Sequence, residues 1–136
     1  MIDELIELIK KQQNHLEHLL VLLQVQKEMI IKKDAFGLEG IVDKLGEYSK
    51  KIAQDEVARR QLLNGGSIKE FISKAGNTQL TDSYNSLTEI LRKVVFQKDT
   101  NDILIKQQIS LNAKVLEMMN PSREIKTYNS YGSISK

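Results

Sequence analysis

The sequence predicts an all-α protein, an elongated antiparallel three-helix bundle or coiled coil with a short connecting helix and an extended C-terminal tail. Three observations carry that expectation. Apolar residues recur every seven positions from the start, as Ile2, Ile9, Leu16, Leu23 and Ile30, the spacing of a helix that hides one face. Helix-stopping residues gather at Asn64-Gly65-Gly66, at Gly76-Asn77 and from Pro121 onward, which divides the chain into long helical stretches. A composition that is 40% hydrophobic, with no tryptophan and three phenylalanines, suits aliphatic stripes packed on one another, and 136 residues fit one domain.

The first helix, about residues 2–33, is widened by Leu5, Ile6, Leu19 and Leu20. Polar Gln12, Gln13 and Gln26 at companion positions make its seam looser than a strict zipper, suited to two partner helices rather than one twin. Lys32, Lys33 and Asp34 close it, and a turn belongs near residues 33–37, with Gly37 and Gly40 loosening the start of the next helix. That second helix, about 38–64, carries the stripe Leu38, Ile41, Leu45, Tyr48, Ile52 and Leu62. The pairs Asp55–Arg59 and Glu56–Arg60 are expected on its exposed side, each adding about 0.3 kcal/mol.

Asn64-Gly65-Gly66 ends the second helix. Ser67-Ile68-Lys69-Glu70 has the form of a capping box, in which serine and glutamate side chains satisfy otherwise orphan amides, so a short helix is expected over 68–75 and Gly76-Asn77 stops it. The last helix, about 80–119, spans about 60 Å if unbroken. Its first half offers Leu80, Tyr84, Leu87, Ile90, Leu91, Val94 and Val95 to the core. The polar run Gln97-Lys98-Asp99-Thr100-Asn101-Asp102 interrupts this face before Ile103, Leu104, Ile105, Ile109, Leu111, Val115, Leu116, Met118 and Met119 resume it. The resumed face is wider than two neighbours can cover. Either it is a partner surface, because soluble proteins rarely leave such a patch bare, or the first helix covers it. Residues 1–119 therefore form the expected helical body. Pro121, which has no N–H and disfavours a helical Asn120, opens a flexible tail over 120–136.

Composition and spacing also exclude functions. Without cysteine there is no disulfide framework and no thiolate site. The tail holds Arg123, Lys126 and Lys136 against Glu124, so the net charge of +2 lies there and residues 1–119 are neutral. A nucleic-acid interface needs a basic face, and none is expected. The acidic, periodic start Met1-Ile2-Asp3-Glu4 is unlike a signal peptide, the apolar run Leu19–Leu23 is far short of the ~20 residues of a membrane span, and a cytoplasmic location is expected. His15 and His18 lie three apart around Glu17, not at the spacing of HExxH, and read as a solvated pair rather than metal ligands. The glycines near Lys69 lack the strand and spacing of a P-loop. No catalytic constellation, metal or cofactor is expected.

The last helix and tail resemble the FlgN family of flagellar type III export chaperones. The run Asn101-Asp102-Ile103-Leu104-Ile105-Lys106-Gln107-Gln108-Ile109, followed by Asn112, Leu116-Glu117 and Pro121, is similar to the family's N-x-x-L-L-x-x-Q-I spacing, its later Asn and Leu, and its closing proline. Tyr128-Asn129-Ser130-Tyr131-Gly132 is similar to its Y-x-x-x-G tail, although Asn129 stands where a glycine is common and Lys98 where an additional Asn is frequent. The resemblance covers about residues 96–132 closely and Leu45–Leu63 more loosely.

It implies a cytoplasmic, non-enzymatic chaperone that binds the C-terminal helices of the hook–filament junction proteins FlgK and FlgL, prevents their premature assembly and delivers them to the export gate. Asn101, Leu104, Ile105, Gln108, Ile109, Asn112 and Leu116 are the substrate-binding residues it implies. Asn101, Gln108 and Asn112 would set register there, as polar groups on an apolar seam do. Tyr128 and Gly132 would meet the gate protein FlhA. The competing expectation is a self-associating helical protein, pairing through 103–119 or through the tail, where Ile125, Tyr128, Tyr131 and Ile134 supply apolar surface.

Overall fold

The computed structural model describes residues 1–119 and contains four helices and no strand among them. They are α1 (Ile2–Ile31), α2 (Ala35–Leu62), α3 (Ile68–Ala75) and α4 (Thr78–Met119). The expected all-α architecture holds. The chain divides into two units, Met1–Asn101 and Asp102 onward, and the helix α4 contributes to both. Pro121, Tyr128 and Gly132, with the rest of the expected tail, lie outside the described residues.

Each helix boundary follows from local chemistry. α1 ends with Lys33 at φ 58°, where the Asp34 amide donates to the Met29 carbonyl at 2.9 Å and the Lys33 amide to that of Ile30 at 3.1 Å, the paired bonds of a left-handed helix stop. α2 begins at Ala35, three residues before its expected start, because the Asp34 side chain accepts from the Gly37 amide at 2.9 Å and caps the helix. Gly37 fits this turn closely, since a Cβ there would stand 2.3 Å from the Asp34 carboxylate. α2 stops at a left-handed Asn64, φ 52°, followed by the two glycines. α3 occupies the expected residues, started by the Ser67 side chain accepting from the Glu70 amide and stopped by Gly76 at φ 58°. Asn77 then caps α4 by accepting from the Leu80 amide at 2.9 Å.

In the unit Met1–Asn101 the core is built from Leu5, Ile6, Ile9, Leu16 and Leu23 of α1, Ile72 of α3 and Leu80, Leu87 and Val94 of α4. Leu45, Ile52 and Leu62 of α2 pack against it, as do Ile68 and Phe71 of α3. α1 and α2 form an antiparallel pair, shown by Gln12 meeting Ile52 and Glu56 while His18 meets Tyr48. α4 runs parallel to α1, since Leu20 shares a groove with Arg92 and Lys93 while Leu23 lies beside Asn101. The buried row of α4 is Leu80, Leu87, Val94 and Asn101. Leu91 and Val95, expected in the core, are exposed, because the helix turns them one step past the seam. The polar run 97–102 does not break the helix.

Candidate functional site

Two features of the molecule carry more than packing. The first is the face of α4 between 102 and 119. Leu104 and Ile105 are half-buried, and Ile103, Ile109, Leu111, Val115, Leu116, Met118 and Met119 are exposed, Ile109 by 64%. At 100° per residue most of these side chains fall on one side of the helix, while Ile103 falls among the polar residues of the other. Leu104, Leu111 and Val115 line one edge of a stripe and Ile105, Ile109 and Leu116 the other, with Gln108 and Asn112 along its middle. Lys106, Gln107, Ser110, Lys114 and Glu117 occupy the opposite side. The result is an amphipathic helix whose apolar stripe bears two amides on its centre line. A second helix laid along such a stripe would bury leucine, isoleucine and valine at roughly 25 cal/mol per Å², and polar groups on the centre line would favour a polar residue of that helix at one position.

Of the residues expected to bind a substrate, Leu104, Ile105, Gln108, Ile109, Asn112 and Leu116 share this stripe. Asn101 falls on the same centre line of α4 but not on its exposed surface, so the free chain does not offer its amide to a partner. It is 1% exposed, and its amide is engaged inside the Met1–Asn101 unit. Nδ2 donates to the Leu23 carbonyl at 2.8 Å and to Gln26 Oε1 at 2.9 Å, and Oδ1 accepts from Gln97 Nε2 at 3.0 Å. The physical reason is its position along the row that continues from Val94 to Gln108: Asn101 still lies opposite Leu23 and Gln26 of α1.

The second feature is a polar layer between α1 and α2 that sequence reasoning missed. Asp55, expected on the exposed side of α2 in a pair with Arg59, is 5% exposed and hydrogen-bonds His15 Nδ1. Arg59 instead meets Glu56, which also accepts from Arg60 Nε at 3.1 Å, so the expected Glu56–Arg60 pair forms and the Asp55–Arg59 pair does not. Gln12 is buried and sends its Nε2 toward the Ile52 carbonyl and Glu56 at 3.4 Å each. Burial alone would raise the Glu56 carboxyl, but the Arg59 charge and hydrogen bonds from Gln12, Arg59 and Arg60 outweigh it and hold the group below its ordinary value.

Of the two histidines expected to be solvated, His18 is exposed and His15 is not. His15 is mostly buried against Asp55, and His18 stacks flat on Tyr48, ring centres 5.4 Å apart and planes within 5°. Among the described residues no group of three His, Cys, Asp or Glu side chains could hold a metal ion. The signal for the layer lay in spacing, since Asp55 stands midway between Tyr48 and Leu62 at steps of seven.

No helix among the described residues is long and apolar enough to cross a membrane. A family model described as FlgN protein matches residues 1–136, the whole chain. No curated protein and no solved structure matches it.

Proposed function

The chain belongs to the FlgN family of flagellar export chaperones, and from that premise we propose that it binds the C-terminal helices of the hook–filament junction proteins FlgK and FlgL in the cytoplasm and delivers them to the export gate. The observation that carries this reading is the exposed apolar stripe of α4 with Gln108 and Asn112 on its centre line. An amphipathic substrate helix docks into such a face through anchors three and four residues apart. Leu104, Ile105, Ile109 and Leu116 supply the apolar contact, and Gln108 and Asn112 select the register of the bound helix. The reaction is capture and release, with no covalent step. Tyr128, with Gly132, is assigned to contact with FlhA, and the resemblance of Tyr128–Gly132 to the family's tail motif supports that assignment.

The deciding experiment mixes the chain with a fragment carrying the C-terminal helices of FlgK or FlgL and follows complex formation by size exclusion with light scattering. We expect a stable heterodimer, lost in the variant Ile105→Asp with Ile109→Asp while its thermal unfolding stays that of the parent. Intact binding with collapsed stability would make these residues core and remove the proposed site. A homodimer of the free chain that neither fragment dissociates would favour self-association through the same stripe instead.

A further inference from the structure

The apolar seams of α1 and α4 do not by themselves say how far along each other the two helices lie. α1 repeats Ile2, Ile9, Leu16 and Leu23, and α4 repeats Leu80, Leu87 and Val94, both at steps of seven. Two rows with equal spacing interlock again after a slide of one heptad, about 10 Å. Apolar contact is non-directional and rewards either arrangement.

Asn101 breaks that degeneracy. It is the one polar residue among the largest fully buried side chains of the described residues, and it follows Leu80, Leu87 and Val94 as the last buried residue of the α4 row. A backbone carbonyl such as that of Leu23 is available at every position of a helix, so the bond to it selects little. Gln26 is different. It offers an amide oxygen at 2.9 Å from Asn101 Nδ2, and the residue one heptad earlier on α1 is Leu19, which is packed against the core and offers none. Gln97, one turn back on α4, holds the other end of the Asn101 amide at 3.0 Å, fixing which way the amide faces. A slipped arrangement would leave a buried amide against leucine, a cost that an apolar residue at 101 would not incur. Buried polar residues on apolar helix seams are best attested in this role.

We infer that Asn101 is a positioning residue: it fixes how far along α1 the helix α4 lies, and so which residues of α4 are covered by α1 and which are left to a partner. A slide of one heptad turns a helix by only about 20°, so Leu104, Ile105, Gln108, Ile109, Asn112 and Leu116, which follow on the same unbroken helix, keep their face in a slipped arrangement and change only their position along the seam. This rests on the proposed function only for the identity of the partner. The device itself lies within residues 1–101.

The test replaces the amide by a similar apolar volume, Asn101→Leu, and reads position rather than stability. The chain has no cysteine, so Gln24→Cys and Lys93→Cys, which line one groove between α1 and α4, can carry a pair of spin labels without background. With Asn101 present we expect one distance. In Asn101→Leu we expect a second population displaced by up to about 10 Å, an unfolding midpoint no lower than that of the parent, and at least tenfold weaker capture of the junction-protein helix. The swapped pair Gln26→Asn with Asn101→Gln keeps an amide on each helix and is expected to restore the single distance. A single unchanged distance in Asn101→Leu overturns the inference. If that variant does not fold, Gln26→Leu, which removes only the partner amide, is read by the same criteria. Failure of the parent chain to bind the helix would overturn the proposed function and leave the distance measurement to decide the register.

Discussion

The carboxylate of Asp55, 5% exposed, places a strict demand on its surroundings. A buried charge is tolerated only with a partner that offsets its lost hydration, and the partner the structure supplies is His15, held at 17% side-chain exposure beside it. Truncating one member of such a pair strands the other. His15→Ala is therefore expected to cost about 3 kcal/mol in urea unfolding. His18→Ala, which removes a ring stacked on Tyr48 at the exposed rim, is expected to cost about 1 kcal/mol or less. Equal losses at the two sites would mean that Asp55 finds its compensation elsewhere. Replacing both His15 and Asp55 by leucine is expected to recover most of the loss, because the penalty comes from the stranded charge rather than from a missing attraction.

Helix ends place a second set of demands on the sequence, and one is poorly met. Lys33 adopts φ 58°, a conformation that brings its Cβ against its own carbonyl at a cost of about 1 kcal/mol. Asn64 shares the conformation, but its short polar side chain tolerates it. Lys33→Gly is expected to raise stability by about 0.5 kcal/mol, the relieved strain less the extra freedom of glycine in the unfolded chain. A fall in the melting temperature would show that the lysine side chain supplies something the backbone argument omits. These ends also show what could be read from the residues alone. α3 was legible to its limits, because Ser67, Glu70 and Gly76 each act on the backbone within three residues. The start of α2 was not, since Asp34 read as the tail of one helix while its side chain caps the next. Leu91 and Val95 look apolar enough for the core, yet 3.6 residues per turn carry them past it. The stripe from Leu104 to Leu116 was legible because helical spacing alone places its residues on one face. Asp55 was misread because a polar residue defaults to solvent unless its partner 40 positions away is known, and Asn101 was given to a partner helix because its contact 78 positions away on α1 is not visible in spacing.

At the scale of the whole molecule, two proposed contacts are kept apart in the sequence: apolar capture on α4 and a gate contact at Tyr128, beyond the proline. An aromatic ring with a hydroxyl gives large buried area with little rotamer entropy to lose. Tyr128→Ala is accordingly expected to leave junction-helix capture unchanged and to weaken binding of the loaded complex to the cytoplasmic part of FlhA at least tenfold by calorimetry. Equal affinities would take Tyr128 out of the delivery step. The two polar layers have a further consequence, in time rather than in space. His15 and Asp55 are 40 positions apart and Asn101 and Leu23 are 78 apart, so the first layer closes the shorter loop and asks for the lesser entropy of closure. A ribosome delivers the chain from its amino end. The α1–α2 pair can therefore zip together while α4 is still being synthesised, and Asn101 arrives only after Leu23 has been fixed on a finished hairpin. Residues 103–119 follow it, so the surface most able to stick to the wrong neighbour is the last part of the helical body to be made.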